Sequence, residues 1–261
     1  MADRIYFAPD VASIKNDLPF QDRPLSRLLQ AVAPTAPLFI DDFWGDLVKA
    51  EWATATSGTA SAALVATADK ANGEANMHAG TDDNGYSLAT LRLNHRGDLN
   101  ALMVARIQVD AITSVKIEVG FGDDIDDAGY VNALDTPSAT ADDAAVFVFD
   151  TDATVDEWHT FYVAAAGTPV ATALGVAPVA ATYETFLVAL EGSGGRFLRF
   201  DANERLIYDS GWIASVITAT DLLTPWLFVQ ARAGSADRIL TADYMACWQR
   251  RTTAAIADIG A

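Results

Sequence analysis

With 261 residues, 51% of them hydrophobic, the chain is long enough to bury a full core and too apolar to be a disordered acidic chain. A net charge of −18, with 35 acidic residues against 17 basic ones and no basic cluster, excludes sequence-independent nucleic-acid binding and opposes adhesion to anionic membranes. The single cysteine, Cys247, excludes an intrachain disulfide and a cysteine-built zinc site. The opening Met-Ala-Asp-Arg-Ile-Tyr-Phe has no apolar core, so no classical signal peptide is expected. Even the Ala-rich stretch 161–190 is broken by Gly167, Pro169, Gly175 and Pro178, so no membrane-spanning helix is expected.

Residues 1–37 carry five of the nine prolines (Pro9, Pro19, Pro24, Pro34 and Pro37), a density that forbids long helices and central strands. One short helix is predicted after Pro24, where Leu25, Leu28, Leu29 and Val32 fall on one face. A stripe of two turns is too short to stand alone, and the segment reads as an extended arm with a partner-binding face.

From Leu38 the period changes from helical to two. Val115, Ile117, Val119 and Phe121 point one way and Lys116 and Glu118 the other. Val146–Phe149, Phe161–Val163, Thr185–Leu190, Arg196–Phe200, Leu206–Tyr208, Trp226–Gln230 and Asp243–Trp248 are further strands, separated by Gly, Asp and Asn turns. About a dozen short strands with no sustained helical period predict an all-β sandwich of two antiparallel sheets. The predicted organisation is an arm over 1–37, a sandwich over 38–251 and a short Ala-rich tail over 252–261.

Several segments within this pattern resemble the concanavalin-like lectin/glucanase jelly rolls of tailed-bacteriophage virion proteins. They are Phe39-Ile-Asp-Asp-Phe-Trp44, Val115–Asp123, Ala145–Asp152, Asp156-Glu-Trp-His-Thr160 and the closing Asp243–Arg250. The resemblance spans about 38–250. It implies a jelly roll whose last strand pairs near its first, carried by a non-enzymatic structural protein of the virion. The expected partners are capsid or tail proteins of the same particle, capsid decoration being preferred, with a homo-oligomer as a further expectation. The alternative is a module that binds a host surface glycan. A fold hosts many functions, so the choice has to come from a site.

Glycosidases need two carboxylates flanking the sugar bond. Glucanases of this fold carry theirs on one strand as Glu-x-Asp-x-x-Glu, and the matching strand here is Ile117-Glu-Val-Gly-Phe-Gly-Asp123. Gly120 stands where a partner for Glu118 would be, so no hydrolysis is expected and Glu118 is read as a solvated or salt-bridged face residue. For glycan contact, Tyr86 and Tyr130, both inside polar glycine-containing loops, are the best surface candidates, and most tryptophans are assigned to the core. Asp123, Asp124, Asp126 and Asp127 form a candidate calcium loop, as the lectin resemblance suggests, although the EF-hand spacing is missing and a hydrated Asp turn is the commoner meaning. No other cofactor is expected. His78, His95 and His159 lack metal spacing and are read as surface or locally hydrogen-bonded. Glu191-Gly-Ser-Gly-Gly195 lies between two strands and so is a hairpin turn rather than a nucleophile elbow.

Overall fold

The computed structural model describes residues 38–250, apart from 44–47, 60, 68–72, 126–127 and 235. The arm with Leu25, Leu28, Leu29 and Val32, the tail 252–261, and Asp126 and Asp127 of the acidic loop lie outside the described residues. Among the described residues are seventeen strands. In chain order they are β1 (Leu38–Asp41), β2 (Ala53–Ser57), β3 (Ala62–Ala66), β4 (Ala75–His78), β5 (Tyr86–Thr90), β6 (Leu102–Val109), β7 (Val115–Gly122), β8 (Val131–Ala133) and β9 (Ser138–Ala139). They continue with β10 (Ala144–Asp150), β11 (Trp158–Val163), β12 (Val170–Ala173), β13 (Glu184–Glu191), β14 (Gly194–Phe200), β15 (Leu206–Asp209), β16 (Thr224–Ala231) and β17 (Ile239–Trp248). The helical content described is one 3-10 turn, Gly97–Leu99.

Two antiparallel sheets face each other. Sheet A runs β15-β14-β13-β6-β17-β4-β3, with β1 also paired to β17, and sheet B runs β12-β11-β10-β7-β16-β5-β2. Leu38 lies opposite Trp248, so the last strand does pair with the first. The glycine turn after Glu191 joins β13 directly to β14, as its strand–turn–strand context predicts.

The main core lies between the sheets. Val115, Ile117, Val119 and Phe121 of β7 meet Phe186, Val188 and Leu190 of β13 there, together with alternate residues of β6, β10, β16 and β17. Phe147 bridges the layers, its ring 5.0 Å from Phe186 and 5.5 Å from Phe197 between centroids. A charged pair, Glu184 with Arg199, is buried at one margin, and Trp158 Nε1 donates to Glu184 at 3.1 Å.

Both sheets also bury side chains on their outer faces. Ala144, Val146, Val148, Trp226 and Phe228 of sheet B join Tyr130, Val131, Leu134 and Ala141 from the 123–143 connection in a second apolar cluster. Leu102, Val104, Leu187, Ala189, Leu198 and Ala246 form a third on sheet A. Burial on both faces explains why β10 and β16 read as continuous apolar runs without alternation.

One histidine departs from the sequence reading. His78 pairs with Asp237 at 2.5 Å and His159 with the Glu157 carbonyl at 3.0 Å, but His95 is buried beside Phe121 with Nδ1 unpartnered. Its backbone bridge to Leu223 fixes it there. Burial pushes its pKa down to about 4, from an ordinary 6.5. Above pH 6.5 the ring is neutral in both folded and unfolded chains. As pH falls from 6.5 towards 4 the unfolded chain takes up the proton first, and stability is lost. Burial raises Asp123, Asp143 and Glu184, which act oppositely and favour the fold as pH falls through their native pKa values. The His95 contribution is therefore isolated by difference. Between pH 6.5 and 4, wild type should lose about 3 kcal/mol relative to His95→Gln in urea unfolding.

Candidate functional site

The strand that aligns with glucanase chemistry is β7, and its outer face is Lys116, Glu118, Gly120 and Gly122. Positions i and i+2 on a strand share a face, which sets Lys116 beside Glu118. Their ion pair is 2.7 Å long, with Lys116 2% and Glu118 0% exposed. The carboxylate accepts from Tyr130 N at 2.9 Å, Val131 N at 3.0 Å and Trp226 Nε1 at 3.0 Å. The ammonium donates to the Val131 carbonyl and stands 5.4 Å from the Phe228 ring centroid.

The glycines make this lid possible. A Cβ on Gly122 would lie 2.0 Å from the Tyr130 ring, and one on Gly120 would lie 2.2 Å from the Ala145 carbonyl oxygen. Tyr130 stacks on Trp226 with centroids 4.0 Å apart, and its hydroxyl donates to the Asp124 carbonyl. Gly129, at φ +105°, passes directly over the ion pair, 2.8 Å separating a Cβ there from Lys116 Nζ. Glu118 is thus salt-bridged but not solvated. Among the described residues its partners are all donors, and the side chain is fully buried.

Tyr130 was expected at the surface and is instead 0% exposed. Its flanking Gly and Asp residues mimic a surface loop, whereas the ring fills the space left by Gly122. Tyr86, the other candidate, is half-buried at the β5 margin of the same face, tilted on Phe228 at 5.6 Å. Gln230 lies opposite it on β16 and Asn84 stands two residues before it. Asn84 sits in the left-handed region at φ +61° and its carbonyl accepts from Gln230 Nε2 at 3.2 Å. Its side-chain oxygen accepts from Arg232 Nη1 at 3.3 Å. Arg232 in turn grips buried Asp150 with two nitrogens, and exposed Asp152 lies 3.4 Å from its Nε. An aromatic edge with fixed amide, guanidinium and carboxylate groups is what sugar recognition uses.

Two residues of the candidate calcium loop are described. Asp123 accepts from the backbone N–H groups of Asp142 and Asp143, at 3.1 and 2.9 Å, and Asp124 from that of Ile125 at 2.6 Å. Among the described residues no three acidic, histidine or cysteine side chains converge as a metal site. Asp123 and Asp124 serve as loop ties, and Asp126 and Asp127, the other two candidate ligands, lie outside the described residues. Asp143 is buried and accepts from Thr218 N and Ala165 N, tying three segments together.

Sequence reading missed Trp212. Trp158 and Trp226 are in the core as expected, but Trp212 is 42% exposed in the turn after β15. Its only signal is the preceding Asp209-Ser-Gly211, since Gly211 at φ +65° turns the chain outward.

No family model and no curated protein matches the chain. Solved structures do match it. The carbohydrate recognition domain of Emp47p superposes with a TM-score of 0.53 at 12% identity, over 84% of this chain and 98% of that one. Peanut lectin gives 0.54 at 11% identity, over 83% and 99%. An immunostimulatory antigen and pseudo β-1,3-glucanase of Mycobacterium tuberculosis gives 0.54 at 12% identity, over 82% and 98%. The fold is the concanavalin-like jelly roll. At these identities the likeness is one of architecture, and the jelly roll reaches across nearly the whole described sandwich.

Breaking the Lys116–Glu118 pair from one side strands a buried charge. Lys116→Met and Glu118→Gln should each cost about 3–5 kcal/mol in urea unfolding, and the double variant clearly less than their sum.

Proposed function

We propose that the protein is a non-enzymatic, lectin-like recognition domain that contacts a saccharide at the Tyr86 margin of sheet B. The observation that carries this reading is the occupation of the β7 outer face: Glu118 is held by Lys116, Trp226 and two backbone N–H groups beneath Tyr130. General acid catalysis needs a carboxyl group within reach of the glycosidic oxygen, and this one reaches only protein donors. Sugar recognition needs an accessible aromatic edge and fixed polar groups; half-buried Tyr86 offers the first, and Asn84, Arg232 and Asp152 the second. Neighbours described as a carbohydrate recognition domain and a lectin support the same reading.

A second reading, a capsid-decorating or tail-associated subunit of a bacteriophage virion, rests on the likeness of the strand motifs to such proteins. The Pro-rich 1–37 segment favours it. The two readings are compatible where a virion protein attaches its particle to a host glycan.

A glycan array probed with the full chain should give a defined set of saccharides. Tyr86→Ala should weaken that binding about tenfold with the β circular dichroism retained. Binding that survives Tyr86→Ala would move the contact elsewhere, and a blank array would favour the structural role. Incubation with β-glucans should release no new reducing ends.

A further inference from the structure

Trp212 is the exposed tryptophan among the described residues. The other described ones are engaged. Trp158 and Trp226 donate from Nε1 to the buried carboxylates of Glu184 and Glu118, Trp52 donates to Asp41, and Trp248 packs on the outer apolar cluster of sheet A. Among the described residues Trp212 has no hydrogen-bond acceptor for Nε1 and no aromatic or cationic group against its ring. The backbone that carries it is nevertheless fixed on both sides. Asp209 closes β15 and accepts from Gly211 N at 2.9 Å, while Arg196 holds the same carboxylate with Nε at 2.9 Å and Nη2 at 2.7 Å. Ser210 Oγ accepts from Phe197 N at 2.9 Å and donates to the Gly211 carbonyl at 2.7 Å. On the far side of the ring, Ile213 and Gly195 exchange both backbone hydrogen bonds, at 2.8 and 2.9 Å. None of these bonds uses the side chain at 212, so the turn would form with any residue there.

We propose that Trp212 and its turn form a second saccharide contact, in which the C–H face of an uncharged pyranose stacks on the indole. A ring on an already ordered backbone loses little further freedom when a ligand covers it, and tryptophan offers a large amphipathic area for two torsions. The surface beside the ring suits a sugar. Ser210, Gly211, Ala214 and Ser215 are small, and the strand bridged to Ile213 opens with Gly194 and Gly195, so a pyranose can reach the indole past short side chains. A protein hot spot instead needs larger neighbours that ring the anchor and exclude water. The charged groups of the turn, Asp209 and Arg196, neutralise each other, which favours an uncharged sugar over a sialylated or sulfated one. The contact is separate from the Tyr86 margin. Tyr86 lies opposite Gln230, which pairs with Lys116 near the start of β7, at the end of the sandwich where β6 finishes. Trp212 adjoins Ile213, bridged to Gly195 and through it to Leu190, whose N–H bonds to the Ala101 carbonyl where β6 begins. The eight residues of β6 put about 25 Å between the two ends.

The test uses the full chain labelled with fluorotryptophan, in which Trp212→Phe identifies the fluorine resonance of Trp212. Titration with cellobiose, lactose, maltose and mannobiose should move that resonance to saturation with at least one of them, in wild type and in Tyr86→Ala alike, and leave those of Trp158 and Trp226 in place. On a glycan array, Tyr86→Ala should keep residual binding to uncharged saccharides, and adding Trp212→Ala should lower it at least about tenfold with the β circular dichroism retained. A Trp212 resonance that none of these sugars moves overturns the inference and leaves the Tyr86 contact standing. So does a response that disappears in Tyr86→Ala, which would place all binding at that margin. Movement of the resonance with protein concentration alone would assign the turn to a second copy of the chain and overturn the inference. A stronger response to sialyllactose than to lactose would overturn the choice of an uncharged ligand. A blank array together with an unmoved resonance would remove both contacts.

Discussion

A lysine and a carboxylate placed two residues apart on a central strand cannot remain there without partners once water is removed, and the Lys116–Glu118 pair organises sheet B accordingly. Removing two charges from water costs several kcal/mol per ion unless every lone pair and proton is engaged. Here the carboxylate receives one side-chain N–H, two backbone N–H groups and the ammonium. Two of those donors come from the start of β8 and its approach, so the pair can be satisfied only when the 123–143 connection lies across the strand. Gly122 and Gly129 then follow as steric conditions, because a side chain at either would push that connection away, while one at Gly120 would strike the backbone of β10 at Ala145. The outer apolar cluster is assembled around the same contact, with Tyr130 and Trp226 stacked beside it.

The same packing decides what Glu118 can meet. On an open jelly-roll face, an acid on this strand would face solvent and could be tuned by its neighbours. With the face filled by protein, the acid becomes part of the packing. The polar groups that remain presented on this sheet lie at its margin, around Tyr86 and Asn84.

Much of the architecture was legible in the chain. The alternation in Val115–Phe121 identified the inward face of β7 correctly, and the glycine turn after Glu191 marked a hairpin because strands flank it on both sides. What period-two reasoning could not supply was the fate of the other face. Lys116 and Glu118 look like solvent-facing residues because charged positions on a strand usually are, and only the tertiary placement of a connection 12 residues away reverses this. Tyr130 failed for the same reason: its loop-like neighbours describe the local backbone, whereas its burial is decided by a glycine on another segment. Asp143 and His95 add a third kind of case, polar residues in turns whose backbone partners lie more than 70 and 120 positions away, at Thr218 and Leu223.

The strand order has a further consequence for how the molecule is made. Sheet A places β17 between β6 and β4, and sheet B places β16 between β7 and β5. The last two described strands therefore fill central slots, one in each sheet. Until they emerge, each sheet exists at most as two fragments, β6-β13-β14-β15 apart from β3-β4, and β7-β10-β11-β12 apart from β2-β5. The edges of β6 and β7 stay unpaired from the time these strands are made until β16 and β17 follow, and both are strands rich in branched apolar residues. Such a topology postpones its longest-range contacts until β16 and β17 have been made, and through that interval the nascent chain depends on being kept from its own neighbours.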